Sequence, residues 1–167
     1  DPSAIAATVR SGLSELADET ALREALRQLR QREMLRIAWR DLAGWADLDE
    51  TLTALSALAD ACIDGALAWL HQWQVAQLGQ PRDAQGQPVE LVVLGMGKLG
   101  GDELNFSSDV DLMFAFEHAG TCDGPPASPS VNPDDTVCTL STITSWGCTW
   151  SIWPRIVARS VSAARNR

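Results

Sequence analysis

The chain has 167 residues, 46% of them hydrophobic, with 22 acidic against 13 basic residues and a net charge of −9; this is room for one ordinary domain or two small ones. No uninterrupted apolar stretch is long enough for a bilayer span, and no basic, then apolar, then small-residue leader opens the sequence, so a cytoplasmic protein with no membrane partner is expected. The acid excess excludes a phosphate-backbone binder, because that affinity comes from Lys and Arg displacing counterions; no nucleic acid is expected, and any nucleotide should be a small ligand held with metal.

Thr20 to about Ala43 is rich in Leu, Arg, Glu and Gln and free of Gly and Pro, which predicts a helix. Its apolar side is expected to carry Leu22, Leu26, Leu29, Met34, Ile37 and Leu42, with Gly44 as the stop. Arg30, Arg32, Arg36 and Arg40 read as a solvated face carrying ion pairs one turn apart. Asp47 and Glu50 then have the Asp-x-x-Glu form of a capping arrangement. Leu52, Leu55, Ala59, Ile63, Ala66, Leu70 and Trp73 follow at three- and four-residue steps, predicting a second helix over about 48 to 78. Two helices so closely joined should lie antiparallel and bury their stripes against each other and a third element.

Gly79, Pro81, Asp83, Gly86 and Pro88 make residues 79–88 a turn-rich linker. Val89 to Leu94 and Val110 to Phe116 are short apolar, β-branched runs of the kind that form buried strands. Between them Gly95, Gly97 and Gly100 match G-x-G-x-x-G, and Glu117 lies where a ribose-binding acid would stand in a dinucleotide site. The interval argues against that reading: a parallel crossover needs a full apolar-faced helix, and Asp102 to Ser108 offers only Leu104 and Phe106. A Walker A loop fails because Leu99, not Ser or Thr, follows Lys98. The four cysteines show no C-x-x-C spacing, and His118 with Cys122 lacks a second ligand pair for zinc, so they read as incidental thiols.

Asp109 and Asp111 stand two residues apart in the second predicted strand, hence on one face, while Val110 and Leu112 face a core. Two neighbouring carboxylates are costly unless a cation cancels them, and Mg²⁺ is commonly held by one or two carboxylates together with substrate phosphates. Upstream, Gly100 and Gly101 are expected to leave amides accessible to a phosphate and Ser107 or Ser108 to donate to it. Lys98, the only lysine in the chain, is a candidate point charge for the same phosphate.

Leu-Gly-Gly followed at this distance by Asp-Val-Asp resembles the signature of the polymerase-β-like nucleotidyltransferase superfamily, in which two strand carboxylates and a third from a neighbouring strand hold two metals. The longer string Gly-Met-Gly-Lys-Leu-Gly-Gly-Asp-Glu-Leu-Asn-Phe-Ser-Ser-Asp-Val-Asp-Leu-Met-Phe, with residues 32–42 before it, resembles the glutamine synthetase adenylyltransferase (glutamate-ammonia-ligase adenylyltransferase) family over roughly residues 15 to 118. Its wording is similar to the adenylyl-removing half of that bifunctional family. The resemblance implies phosphorolysis of adenylyl-tyrosine on glutamine synthetase, giving ADP. It also implies Mg²⁺, ATP or ADP and inorganic phosphate at the site, glutamine synthetase as protein substrate and a PII-type signalling protein as partner. Asp109 and Asp111 would be metal ligands, and Gly100, Gly101, Ser108 and, less directly, Lys98 would contact phosphate.

From residue 119 the composition changes. Residues 1 to 116 carry 18 acids and 9 bases, while residues 117 to 167 carry four of each and are rich in Pro, Cys, Ser and Thr without sustained patterning. The family's later strand with its third carboxylate has no counterpart there, so the tail is expected to be irregular and out of the natural reading frame. The expected class is therefore α+β: a helical arm over 1–78, a linker over 79–88, a partial polymerase-β-like nucleotidyltransferase sheet over 89–118 and a tail over 119–167. A chain so built should be weakly active or inactive alone. A generic ATP-dependent nucleotidyltransferase on another acceptor, or a non-catalytic helical interaction fragment, are the alternatives.

Overall fold

Three helices come first. In the computed structural model, which describes residues 2–116, 120–124 and 146–148, α1 spans Pro2–Gly12, α2 Glu19–Leu42 and α3 Leu48–Leu78. Both long helices start where an aspartate can cap them. Asp18 accepts the amide of Ala21 and Asp47 that of Glu50, each at 2.8 Å, satisfying a donor that has no partner inside the helix. The chain leaves α2 through Gly44 at φ +69 and α3 through Gly79 at φ +83, the left-handed region that glycine enters without a steric penalty.

The expected third element of the arm is α1. Its Ile5 and Val9, with Leu13 just beyond, meet Leu22, Leu26, Leu29 and Ile37 of α2 and Leu55, Leu58, Cys62, Ala66 and Leu70 of α3 in one core. Leu42, expected on this stripe, is 86% exposed. At about 100° per residue it stands about 140° round the helix from Ile37, so it faces solvent with Leu35, Trp39, Trp45 and Leu48. The expected solvated arginine face is found in part: Arg36 pairs one turn back with Glu33, whereas Arg40 reaches across the turn to Glu50 and Arg30 is half-buried; Arg23, outside that set, pairs with Glu19. One expectation is corrected: α3 is long and apolar enough to cross a membrane, with a mean hydropathy of 1.3 over its most apolar window. Counting uninterrupted apolar runs missed it because Asp60 and Asp64 break the run. Its apolar stripe is turned inward against α1 and α2, as in the core helix of a bundle.

Two small antiparallel sheets follow. Strands β2 (Leu91–Met96) and β3 (Val110–Phe116) pair from Leu91 opposite Phe116 to Met96 opposite Asp111, with the single turn α4 (Gly97–Gly100) between them. This hairpin pairing is incompatible with a parallel crossover and so with the dinucleotide fold. A short strand β5 (Trp146–Cys148) lines the other edge of β3, with Gly147 opposite Asp111. The second sheet pairs β1 (Pro81–Arg82) with β4 (Thr121–Cys122).

The mixed helix and sheet content agrees with the expected α+β class, and β3 has its expected bounds. Strand β2 begins two residues late, because the Val89 amide turns back to the Pro81 carbonyl at 2.9 Å. Residues 79–88 are more than a linker: β1 lies inside them and pairs with β4, and just before it the carbonyls of Gln80 and of Leu78, the last residue of α3, accept the amides of Asp123 and Gly124. In the expected irregular tail, β4 and β5 are short strands; apart from Gly120, Asp123 and Gly124, the remainder of 119–167 lies outside the described residues.

Candidate functional site

The chain turns out of β2 at Gly97, whose φ of +56 suits glycine. Gly100 is required for a different reason: a Cβ there would lie 2.5 Å from the Gly95 carbonyl oxygen, so only glycine lets the turn fold back on its own strand. The Gly101 amide, expected to face a phosphate, donates to the Gly97 carbonyl at 3.1 Å and closes the turn instead. Lys98 is exposed on this turn, and its carbonyl accepts the Glu103 amide at 2.8 Å.

The next stretch lacks regular structure yet is tightly bonded. The Asn105 side-chain oxygen accepts from the Ser107 amide at 3.1 Å, the Ser107 hydroxyl at 3.2 Å and the Ser108 hydroxyl at 2.7 Å. The Asn105 amide donates to Ser108 Oγ at 3.1 Å. Ser108, expected to donate to phosphate, is therefore buried with its hydroxyl proton given to Asn105; Ser107 remains exposed. Sequence reasoning gave Asn105 no role. The signal was present in Asn-x-Ser-Ser, because Asn and Ser side chains bond neighbouring backbone groups in turns.

Below this box Val110 and Leu112 are buried, and the exposed carboxylates of Asp109 and Asp111 share the opposite face. Asp111 stands across from Met96, and its Oδ2 lies 4.0 Å from where a Gly97 Cβ would be, so the register brings the carboxylate beside the glycine turn. Among the described residues neither aspartate is in an ion pair, and no three His, Cys, Asp or Glu groups assemble as metal ligands. Two unpaired, solvent-facing carboxylates beside a turn fit Mg²⁺ of the kind completed by water and substrate phosphate. The same face continues into apolar Leu94, Met96 and Met113, each nearly half exposed, with Leu94 directly opposite Met113.

Behind the hairpin lies a groove of about 710 Å³ between α1, α3 and β2, walled by Arg10, Asp60, Asp64, His71, Val92 and Leu112. Loss of water around Asp60, followed by the nearby charges of Asp64 and Asp102, pushes its carboxyl above the ordinary value.

A sequence model of the glutamate-ammonia ligase adenylyltransferase family matches residues 1–141, reaching beyond residue 118, where the resemblance in the sequence was expected to end. Similar proteins are named bifunctional glutamine synthetase adenylyltransferase/adenylyl-removing enzyme. That of Thioalkalivibrio sulfidiphilus is 60% identical over 120 residues, which cover 72% of this chain and 12% of the relative. That of Nitrosococcus oceani is 51% identical over 125 residues, 74% of this chain and 13% of the relative. That of Pseudomonas aeruginosa is 49% identical over 124 residues, with 74% and 13% covered. The chain thus spans about an eighth of the length of the curated relatives it matches.

Proposed function

The chain belongs to the glutamate-ammonia ligase adenylyltransferase family, and from that premise we propose that its β2–α4–β3 unit is part of a polymerase-β-like nucleotidyltransferase centre acting on glutamine synthetase. The observation that carries this reading is the hairpin register, which stands Asp109 and Asp111 on one solvent face and brings Asp111 against the Gly97 turn.

The reaction proposed is removal of the adenylyl group. An oxygen of inorganic phosphate attacks the adenylyl phosphorus and forms the new P–O bond of ADP. The bond from phosphorus to the tyrosine oxygen breaks, and that oxygen takes up a proton from solvent. Asp109 and Asp111 would hold Mg²⁺, which would supply positive charge to offset that of the anionic reactants. Lys98 is the exposed charge left to orient phosphate, and exposed Ser107 would join it by exchanging its 3.2 Å bond to Asn105 for one to phosphate, since Ser108 and the Gly101 amide serve the loop. The protein's part is positioning and charge neutralisation on a preformed scaffold. With no third acid beside the pair among the described residues, turnover by this chain alone is expected to be weak or nil. In the same reading the protein works in the cytoplasm and a PII-type protein is its regulatory partner.

The test is calorimetric titration of ADP and ATP with and without Mg²⁺, using Asp109→Asn/Asp111→Asn as the control. Mg²⁺-dependent binding that disappears in the double variant supports the centre; equal binding by both proteins overturns it. Incubation with adenylylated glutamine synthetase and phosphate tests direction, because ADP release marks removal, whereas ATP-dependent labelling of the unmodified enzyme marks transfer.

A further inference from the structure

Besides apolar packing, the helical arm is joined to the carboxylate-bearing loop by a hydrogen bond at one side chain. Ser56, in the middle of α3, is 0% exposed, and its Oγ accepts the backbone amide of Leu104 at 3.1 Å across 48 residues of sequence. Leu104 is also 0% exposed and packs in the same core as Leu58 and Val110. The amide sits between two groups of local bonds. On one side the Glu103 amide is tied to Lys98; on the other the Asn105–Ser108 box leads straight into Asp109. Asp102, at φ +58, turns the chain two residues before Leu104. A buried amide without an acceptor is costly, so Ser56 fixes both the depth and the orientation of the loop at its midpoint.

We propose that Ser56 is a positioning residue for the nucleotide centre: it acts through Leu104 to hold the loop that presents Asp109 and Asp111. The statement about nucleotide rests on the proposed function, whereas the tether itself does not. An arm that reads in sequence as a separate helical unit thereby becomes the back wall of the site.

Two variants of α3 separate positioning from plain stability. Ser56→Ala removes the acceptor, while Ala59→Gly weakens the same helix and leaves the Ser56 acceptor of the Leu104 amide in place. Amide exchange followed by mass spectrometry should show residues 102–111 exchanging about tenfold faster in Ser56→Ala, with α2 protected as in the parent. Compared at temperatures of equal fraction folded, Ala59→Gly should leave that segment unchanged. Affinity for ADP with Mg²⁺ should fall about tenfold in Ser56→Ala and stay at the parent value in Ala59→Gly. Matching patterns in the two variants, or unchanged exchange in Ser56→Ala, would overturn the proposal. A parent chain that binds no Mg²⁺–ADP sinks the proposed function, and the exchange comparison still decides the tether. Should Ser56→Ala not fold, Ser56→Cys, a weaker acceptor, must show intermediate exchange at residues 102–111; parent-like exchange there would overturn the proposal.

Discussion

The helical arm and the hairpin beside it solve opposite problems with the same kinds of residue. In the arm, Ile5, Leu22, Leu55 and Leu58 are sealed by three helices, and of the charged residues only Glu33, paired with Arg36, is buried among those described. In the hairpin only one face is sealed: Val110 and Leu112 are buried, while Leu94, Met96 and Met113 stay partly open beside Asp109 and Asp111. The arm owes its stability to apolar burial, about 1.5–3 kcal/mol for a fully buried Leu or Ile. The loop owes its shape to directional bonds from Asn105, Ser108 and Ser56. Stability and chemistry are thus kept apart, and they meet where Leu99, Leu104, Val110 and Leu112 enter the common core and where Ser56 accepts the Leu104 amide.

The strongest way to break this contrast is to damage the arm. Leu58→Ala, at a 0% exposed position, should cost about 2–5 kcal/mol in urea unfolding. Fluorescence and circular dichroism should then report a single shifted transition, because the hairpin leans on the same core; a hairpin that stays folded would show two independent units. A smaller loss, about 1–3 kcal/mol, is expected for Gly100→Ala, whose new Cβ meets the Gly95 carbonyl. Calorimetry should show Mg²⁺–ADP binding abolished in it, and intact binding would mean that the turn tolerates a side chain.

Asp60→Asn should raise the melting temperature modestly at pH 7, since the Asp60 carboxyl is held above its ordinary value by desolvation and by Asp64 and Asp102. For an acid shifted upward, the folded state binds the proton more tightly, so the native protein gains stability as pH falls through the raised value. The advantage of the Asn variant should therefore shrink on acidification, and an advantage constant down to pH 3 would rule out the charge as its origin. Burial likewise pushes the Cys62 thiol up to about 12, so site-resolved alkylation at pH 8 should modify Cys122 well before Cys62. The least effect on stability, within about 0.5 kcal/mol, belongs to Asp109→Asn/Asp111→Asn at exposed positions. A large loss of stability there would mean that these carboxylates hold the fold together.

Much of the architecture was legible in the residues. The end of α2 at Gly44 and the span of α3 from Asp47 to Gly79 follow from capping and turning chemistry that is local. The buried and exposed alternation of residues 109 to 112 follows from the strand period. Leu42 misled because a loose count of apolar residues ignored its angle round the helix. Strand β2 was read from Val89 because β-branched residues favour strands, but its partner decided where pairing starts.

What the sequence determined by itself is therefore local: caps, helix faces, the glycine turn and the pair of carboxylates on one side of a strand. The tertiary structure decided what depends on distant partners. It turned Ser108 and the Gly101 amide from prospective phosphate contacts into loop supports, and it set Asp111 beside Gly97. It also bound Ser56 to an amide 48 residues away. The physical reason is that a hydroxyl or an amide has few hydrogen-bonding positions, and only the folded chain shows which neighbour has taken them.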